Sequence, residues 1–272
     1  MRKGAVTFRE RAGTFERVSE DAAALEASRR LPQGAYTTLR TYGGRSVVRL
    51  AQHVSRLNET SALLRSDVAV SEANVRVALR KALAATEHPE SRLRLTWAPP
   101  DLYVTVELFE PLPERLYEEG VRCATLDVRR ENPHAKDTRF IVTATAAYGA
   151  LPAGVHEGLL LGDDGAILEG LSSNFFAVLG AILRTEEERA LLGVTRSLVL
   201  EVAAGVLPVE RRAVTQADLG GVTEAFITSV SRGILPVVAI DAVAVGDGRP
   251  GPTTRELGRR FAELVARELV RL

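Results

Sequence analysis

The segment Glu110–Glu119 (EPLPERLYEE) constrains the fold of this 272-residue chain more than any other stretch. It holds two prolines and five charged residues in ten positions. Such a stretch continues neither a helix nor a buried sheet, and it reads as a linker between domains. It divides the chain into a smaller N-terminal domain, 1–112, and a larger C-terminal domain, 113–272. Each length suits a domain with its own core.

On the N-terminal side, Ser19–Arg30 (SEDAAALEASRR) predicts a helix capped by Ser19, with acids in its first turn. Ala35–Tyr42 (AYTTLRTY) predicts a strand, Gly43-Gly44 a hairpin turn, and Arg45–Arg49 the strand that pairs back. Apolar residues at 50, 54, 57 and 64 predict a helix, and Ser71 caps a second one reaching Ala85. Strands follow at Arg92–Trp97 and Leu102–Phe109. On the C-terminal side come a strand at Val121–Val128, a helix over Arg139–Leu151 and short strands between 158 and 185. A helix from Thr195 to Ala204, strands near 207–212, 225–229 and 237–240, and a helix from Pro252 to the C-terminus complete the chain. Short hairpins and separate helices, without steady strand–helix alternation, predict an α+β architecture.

Composition narrows the function. Lys+Arg and Asp+Glu are both 35, so the formal charge is zero, which argues against a nucleic-acid partner. No apolar run approaches the roughly 18 residues that cross a membrane. Met1-Arg2-Lys3-Gly4 leads into charged residues and no apolar signal core, so a cytoplasmic protein is expected. The single Cys123 excludes an internal disulfide. His53, His88, His134 and His156 lack ligand spacing, so no metal is expected.

Only three of the 35 basic residues are lysine: Lys3, Lys81 and Lys136. Arginine replaces lysine as a surface charge but not as an amine nucleophile. The lysines that remain are therefore candidates for amine chemistry. Arg56 lies on the margin of the apolar face of its helix, where it can grip an anion. Glu169 ends a strand just before Gly170, a place for a carboxylate to meet a protonated ring nitrogen. Gly193-Val194-Thr195-Arg196 precedes a helix, whose first N–H groups suit a phosphate. Each feature alone has an ordinary reading as a solvated arginine, a surface acid or a plain cap. Together they are the parts that pyridoxal phosphate requires. Gly246–Gly251 spells G-x-G-x-x-G, but the chain ends about twenty residues later, leaving no room for a βαβ unit; it reads as a turn.

These residues, in this order, resemble the class IV aminotransferases, the fold-type IV pyridoxal phosphate enzymes. The resemblance runs from Gly34 to Pro252. It is carried by Gly34–Arg40 (GAYTTLR), His53–Leu57 (HVSRL), Glu169–Phe176 (EGLSSNFF), Gly193–Arg196 (GVTR), Glu224–Val237 (EAFITSVSRGILPV) and Gly246–Thr253 (GDGRPGPT). The resemblance implies a two-domain fold with the cofactor between the domains, and a homodimer. It implies that Lys136 forms the Schiff base and shuttles the proton, and that Glu169 pairs with the pyridine nitrogen. It also implies that Arg56, Val194, Thr195, Ser229 and Val230 hold the phosphate, while Ser173 and Asn174 line the ring. The substrates implied are a small amino donor and a 2-oxo acid acceptor, with Tyr36, Thr38, Arg40, Arg94 and Arg232 as candidates to contact them.

The chain also departs from the family. SEDAAALEASRRLPQG does not match the family's usual aspartate-arginine-glycine segment. Thr37 stands where many transaminases carry glutamate, and Val230 where many relatives place a hydroxyl. Arg139, Phe140 and Ile141 occupy positions where a tyrosine or asparagine often follows the lysine. Thr37-Thr38 and Arg232-Gly233 resemble 4-amino-4-deoxychorismate lyase, whereas the GDGRPGPT segment resembles transaminases. The expectation is a transaminase. A lyase releasing pyruvate and a non-catalytic protein of the same fold are the alternatives.

Overall fold

Alternation of buried and half-exposed side chains builds the first half of the chain into strands. A computed structural model describes residues 4–272; Lys3 and the terminus before it lie outside the described residues. The first elements are β1 (Ala5–Arg11), β2 (Thr14–Asp21), α1 (Ala24–Arg30), β3 (Ala35–Arg40), β4 (Ser46–Val48), α2 (Leu50–Leu63), α3 (Glu72–Ala84), β5 (Ser91–Ala98) and β6 (Asp101–Leu108). After them come α4 (Arg115–Glu119), β7 (Val121–Leu126), α5 (Arg139–Gly149), β8 (Val155–Leu161), β9 (Ile167–Gly170), β10 (Asn174–Leu179) and β11 (Ile182–Arg184). The last are α6 (Val194–Ala203), β12 (Val209–Glu210), a 3-10 turn (Gln216–Gly221), β13 (Val222–Ser229), β14 (Gly233–Ile240), β15 (Val243–Ala244), α7 (Pro252–Arg267) and β16 (Leu269–Arg271). The mixture of separate helices and mainly antiparallel strands is the α+β architecture expected.

The chain divides into two units. The first comprises the residues up to Glu110, together with Ala135–Val142 and Glu268–Leu272. Its antiparallel sheet has the order β2-β1-β6-β5-β3. Leu39, Leu93, Leu95, Val104 and Phe8 share one face, on which Val54 and Leu57 of α2 and Val75 and Leu79 of α3 are buried. Ser71 caps α3 as expected, accepting from Asn74 N–H at 3.1 Å.

Three expectations fail in this unit. Ser19 does not cap a helix, because Ser19–Asp21 finish β2 and α1 begins only at Ala24, with no side-chain cap. The hairpin turn Ala12-Gly13 has positive φ at both positions, the geometry that matches strand twist. β4 does not pair back on β3. An isolated bridge joins Tyr42 to Ser46, and β4 pairs instead with β16. The final helix therefore stops at Arg267, and Arg49 binds Glu268 beside the new pairing, with Nη2 to Oε1 at 2.7 Å. Tertiary pairing overrides the helical pattern of the last residues.

The second unit comprises Pro111–His134 and Thr143–Arg267. Its sheet follows the order β12-β11-β10-β13-β14-β7-β8-β9 and closes on itself where β9 also pairs with β10, at Glu169 opposite Asn174. Val121, Leu159, Ile167, Phe175, Ile227 and Leu235 fill one side. Phe176 and Phe226 stack on the other, where Val199 of α6 and Leu257 of α7 pack. The segment expected as a linker contains the single-turn helix α4. Among the described residues, no helix is long and apolar enough to cross a membrane.

Candidate active site

In the first unit the candidate lysine is held by its backbone. Tyr36 N–H donates to the Lys136 carbonyl at 2.8 Å, and Lys136 N–H donates to Thr60 Oγ1 at 3.2 Å. Thr138 N–H donates to the Gly34 carbonyl at 3.0 Å, and Gly34 N–H to Thr138 Oγ1 at 3.1 Å. The segment thus runs along the end of β3, and Lys136 Nζ sits 4.8 Å from the centre of the Tyr36 ring. Gly34 is required here, because a Cβ would strike the Trp97 carbonyl on the neighbouring strand.

His53, Arg56 and Thr60 lie three and four positions apart on α2 and form one stripe beside its apolar face. All three are buried, as is Thr37 on β3. Arg56 Nη2 donates to Thr37 Oγ1 at 2.6 Å, and Thr37 Oγ1 lies 2.8 Å from His53 Nδ1. Arg56 Nε has no partner among the described residues. Burial pushes the Arg56 guanidinium down to about 10, so it remains a cation at neutral pH. Burial, then the Arg56 and Lys136 charges, hold His53 well below the ordinary imidazole range.

The other face of β3 carries Tyr36, Thr38 and Arg40, with Arg94 of β5 opposite Thr38. Arg94 Cζ lies 5.4 Å from the Tyr36 ring centre, and its Nη1 binds Ser28 Oγ and the Ala24 carbonyl on α1. Burial lowers its pKa. Arg40 turns to Tyr42 and Phe109, at 4.1 and 4.5 Å from their ring centres.

In the second unit, β9 and β10 bring Glu169 and Asn174 opposite each other at the closure of the sheet. Both are buried, and both hold Leu191: Leu191 N–H donates to Glu169 Oε2 at 3.1 Å, and Asn174 Nδ2 donates to the Leu191 carbonyl at 2.7 Å. This clamp fixes the approach to α6. Its N-terminus at Val194 and Thr195 has no side-chain cap for the first N–H groups. Gly193 is needed because a Cβ would strike Asn174 Oδ1. Glu169 Oε1 pairs with Arg130 Nε at 3.0 Å, with both side chains buried.

Ser173 Oγ donates to Glu157 Oε2 at 2.9 Å, and Arg232 Nη1 donates to the same oxygen at 2.7 Å. Tyr148 Oη also bonds Glu157. Burial, then the Glu157 charge, push the Tyr148 phenol upward. Burial works against the Arg232 cation, but Glu157 and Tyr148 outweigh it and raise its pKa. Ser229 and Val230 enter the hairpin between β13 and β14, which Arg232 N–H closes on the Ser229 carbonyl at 3.2 Å.

The geometry therefore gathers Tyr36, Arg56, Arg94 and Lys136 in one unit. It gathers Glu169, Asn174, Val194 and Thr195 in the other. Arg40 is held by two aromatic rings and Arg232 by a carboxylate. Sequence reasoning missed Arg130, Glu157, Leu191 and the His53–Thr37 link. The only signal for them was placement: Thr37 is a polar residue where β3 otherwise turns alanine and leucine to the core.

The family described as "Amino-transferase class IV" matches residues 34–240. A Methanocaldococcus jannaschii protein, provisionally named a branched-chain-amino-acid aminotransferase, is 29% identical over 251 residues, covering 85% of this chain and 86% of that protein. A D-alanine aminotransferase of Bacillus licheniformis is 28% identical over 242 residues, covering 82% and 84%. The crystal structure of the T.th. branched-chain amino acid aminotransferase with pyridoxamine 5'-phosphate superposes with a TM-score of 0.82 at 21% identity, covering 100% of this chain and 99% of that one.

Proposed function

The chain belongs to the class IV aminotransferases, pyridoxal phosphate-dependent enzymes, and from that membership we propose that Lys136 carries the cofactor while the chain moves an amino group from an amino acid to a 2-oxo acid. The observation that carries this reading is the anchoring of Lys136. Its backbone is bonded on both sides, to Tyr36 of β3 and Thr60 of α2, which leaves a side chain positioned by the fold.

The residues present fit the cofactor. Arg56 is a buried cation whose Nε lacks a partner, and α6 offers an uncapped N-terminus; both suit a phosphate dianion. Glu169 is a buried carboxylate that suits a protonated ring nitrogen. When bound, the cofactor ring supplies an electron sink for the bond broken at the amino-bearing carbon. Lys136 Nζ would supply the nucleophilic amine and would take and return the proton at that carbon. Glu169 would hold the ring nitrogen's proton. Within the first unit Arg56 would hold the phosphate; within the second, the Val194 and Thr195 N–H groups and the Ser229-Val230 turn would. Asn174 and Ser173 act through Leu191 and Glu157, since their hydrogen bonds go there.

The relatives above are named for branched-chain amino acids or D-alanine, all of which carry a carboxylate. Arg94 is the group we propose for that carboxylate. It is half-buried near the Tyr36 ring that faces Lys136, and its hydrogen bonds go to neutral oxygens. Arg232 is already matched by Glu157. We further propose a homodimer, on the family's expectation.

Borohydride reduction followed by peptide mass analysis tests the lysine: the cofactor's mass is expected on the Lys136 peptide, and Lys136→Ala is expected to lose it along with turnover. Cofactor found on another residue overturns the assignment. A panel of L- and D-amino acids and simple amines, scored by conversion of the bound cofactor to its amine form, then names the donor. Pyruvate release from aminodeoxychorismate with no acceptor would instead favour the lyase.

A further inference from the structure

Thr37 and His53 are buried polar groups in the apolar seam between β3 and α2, and the chemistry assigned above does not use them. A threonine hydroxyl has one proton. A guanidinium only donates, so the 2.6 Å contact makes Thr37 Oγ1 an acceptor towards Arg56. The hydroxyl proton then has one place to go, His53 Nδ1 at 2.8 Å. The imidazole is thereby fixed as the tautomer with an unprotonated Nδ1 and the proton on Nε2. Burial and the Arg56 and Lys136 charges keep the ring neutral, which preserves Nδ1 as an acceptor.

We propose that His53 and Thr37 form a hydrogen-bond relay that aims the Arg56 guanidinium, which makes both positioning residues for the cofactor phosphate. The relay rests on the assignment of Arg56 to the phosphate. Its distinctive feature is neutrality. A carboxylate at position 37 would hold Arg56 equally well but would cancel its charge. The hydroxyl and the neutral imidazole orient the cation and leave its charge for the phosphate. The His53, Arg56 and Thr60 stripe adds an economy of placement, since the same face of α2 that bears the relay also receives Lys136 N–H.

The test compares binding of pyridoxal phosphate with binding of pyridoxal, which lacks the phosphate, in wild type and in Thr37→Val, Thr37→Ser, His53→Leu, His53→Gln and Arg56→Gln. Thr37→Val and His53→Leu are expected to weaken pyridoxal phosphate about tenfold, the scale of one charge-assisted hydrogen bond, and to leave pyridoxal unchanged. Thr37→Ser and His53→Gln, which keep a hydroxyl and an acceptor, are expected to bind like wild type. Equal weakening of both ligands, or no change in either, overturns the relay. If Arg56→Gln leaves pyridoxal phosphate binding intact, the phosphate assignment fails, a result separate from failure of the relay. Nitrogen-15 shifts of His53 in the wild-type holoenzyme give a second reading that needs no variant. Nδ1 is expected to be unprotonated and Nε2 protonated at neutral pH, and a proton on Nδ1 overturns the proposal.

Discussion

Five buried or half-buried arginines are treated in opposite ways in the two units. In the second unit Arg130, Arg196 and Arg232 each meet a carboxylate, from Glu169, Glu187 and Glu157. In the first unit Arg56 and Arg94 meet only hydroxyl and carbonyl oxygens, and burial lowers both their pKa values. An uncompensated buried charge costs several kcal/mol, so a fold keeps one only where something else offsets that cost. The difference separates two tasks. The Arg130, Arg196 and Arg232 charges in the second unit are matched within the protein. Arg56 and Arg94 in the first unit are the cations we propose for anions from outside, the phosphate and the substrate carboxylate.

Cutting a matched pair gives the largest expected effect. Glu157→Leu strands Arg232 and frees Tyr148 and Ser173, and we predict a loss of about 3–5 kcal/mol in urea unfolding of the apoprotein. A loss under about 1 kcal/mol would show that the pair is not part of the folded framework. Next in size, Arg94→Leu is predicted to raise KM for amino acids about a hundredfold while sparing simple amines that lack a carboxylate. An equal rise for amines would remove Arg94 from that role. Arg56→Met completes the contrast. It removes a cation that has no carboxylate, so apoprotein stability is predicted to change by less than about 1 kcal/mol or to rise, while pyridoxal phosphate binding weakens. Destabilisation comparable to Glu157→Leu would erase the distinction between the units.

The sequence offered candidates for the site in proportion to how local their signals were. Lys136, Glu169 and the Gly193–Arg196 turn stood out as candidates because a scarce amine, an acid at a strand end and a helix start are features of a few adjacent residues. The α2 helix and the Ser71 cap were legible for the same reason. Partners supplied from far along the chain were not. Arg130 reaches Glu169 across 39 positions, and Arg232 reaches Glu157 across 75. The β4–β16 pairing joins the chain's first and last hundred residues, so nothing near Leu269 could announce it. The β1–β2 hairpin was hidden by charge: its exposed residues obscured an alternation that only burial reveals. Arg40 and Arg94 looked equivalent as sequence, and only the fold sends one to two aromatic rings and the other to α1.

The smallest expected effect concerns protons. His53 in the first unit is neutral because burial opposes its charge, and Arg56 and Lys136 add to that opposition. Its folded-state pKa therefore lies below the value near 6.5 that it regains on unfolding. Between those two values the unfolded chain binds a proton that the native chain does not, so stability falls as pH drops below about 6.5 and is fully present above it. The slope from one such group is at most about 1.4 kcal/mol per pH unit. His53→Gln removes the titrating group, so the variant's apoprotein is predicted to lose less stability than wild type between pH 6.5 and 5, with carboxylate protonation common to both. His156 in the second unit is also held low, by burial and then by Arg232, and contributes a slope of the same sign. It is only half-buried and its neighbouring Glu157 works the other way, so His156→Gln is predicted to flatten the profile less than His53→Gln. Identical profiles for wild type and His53→Gln would mean that His53 is already solvated in the apoprotein, and the unmatched charge of the first unit would then be less sheltered from water than its burial indicates.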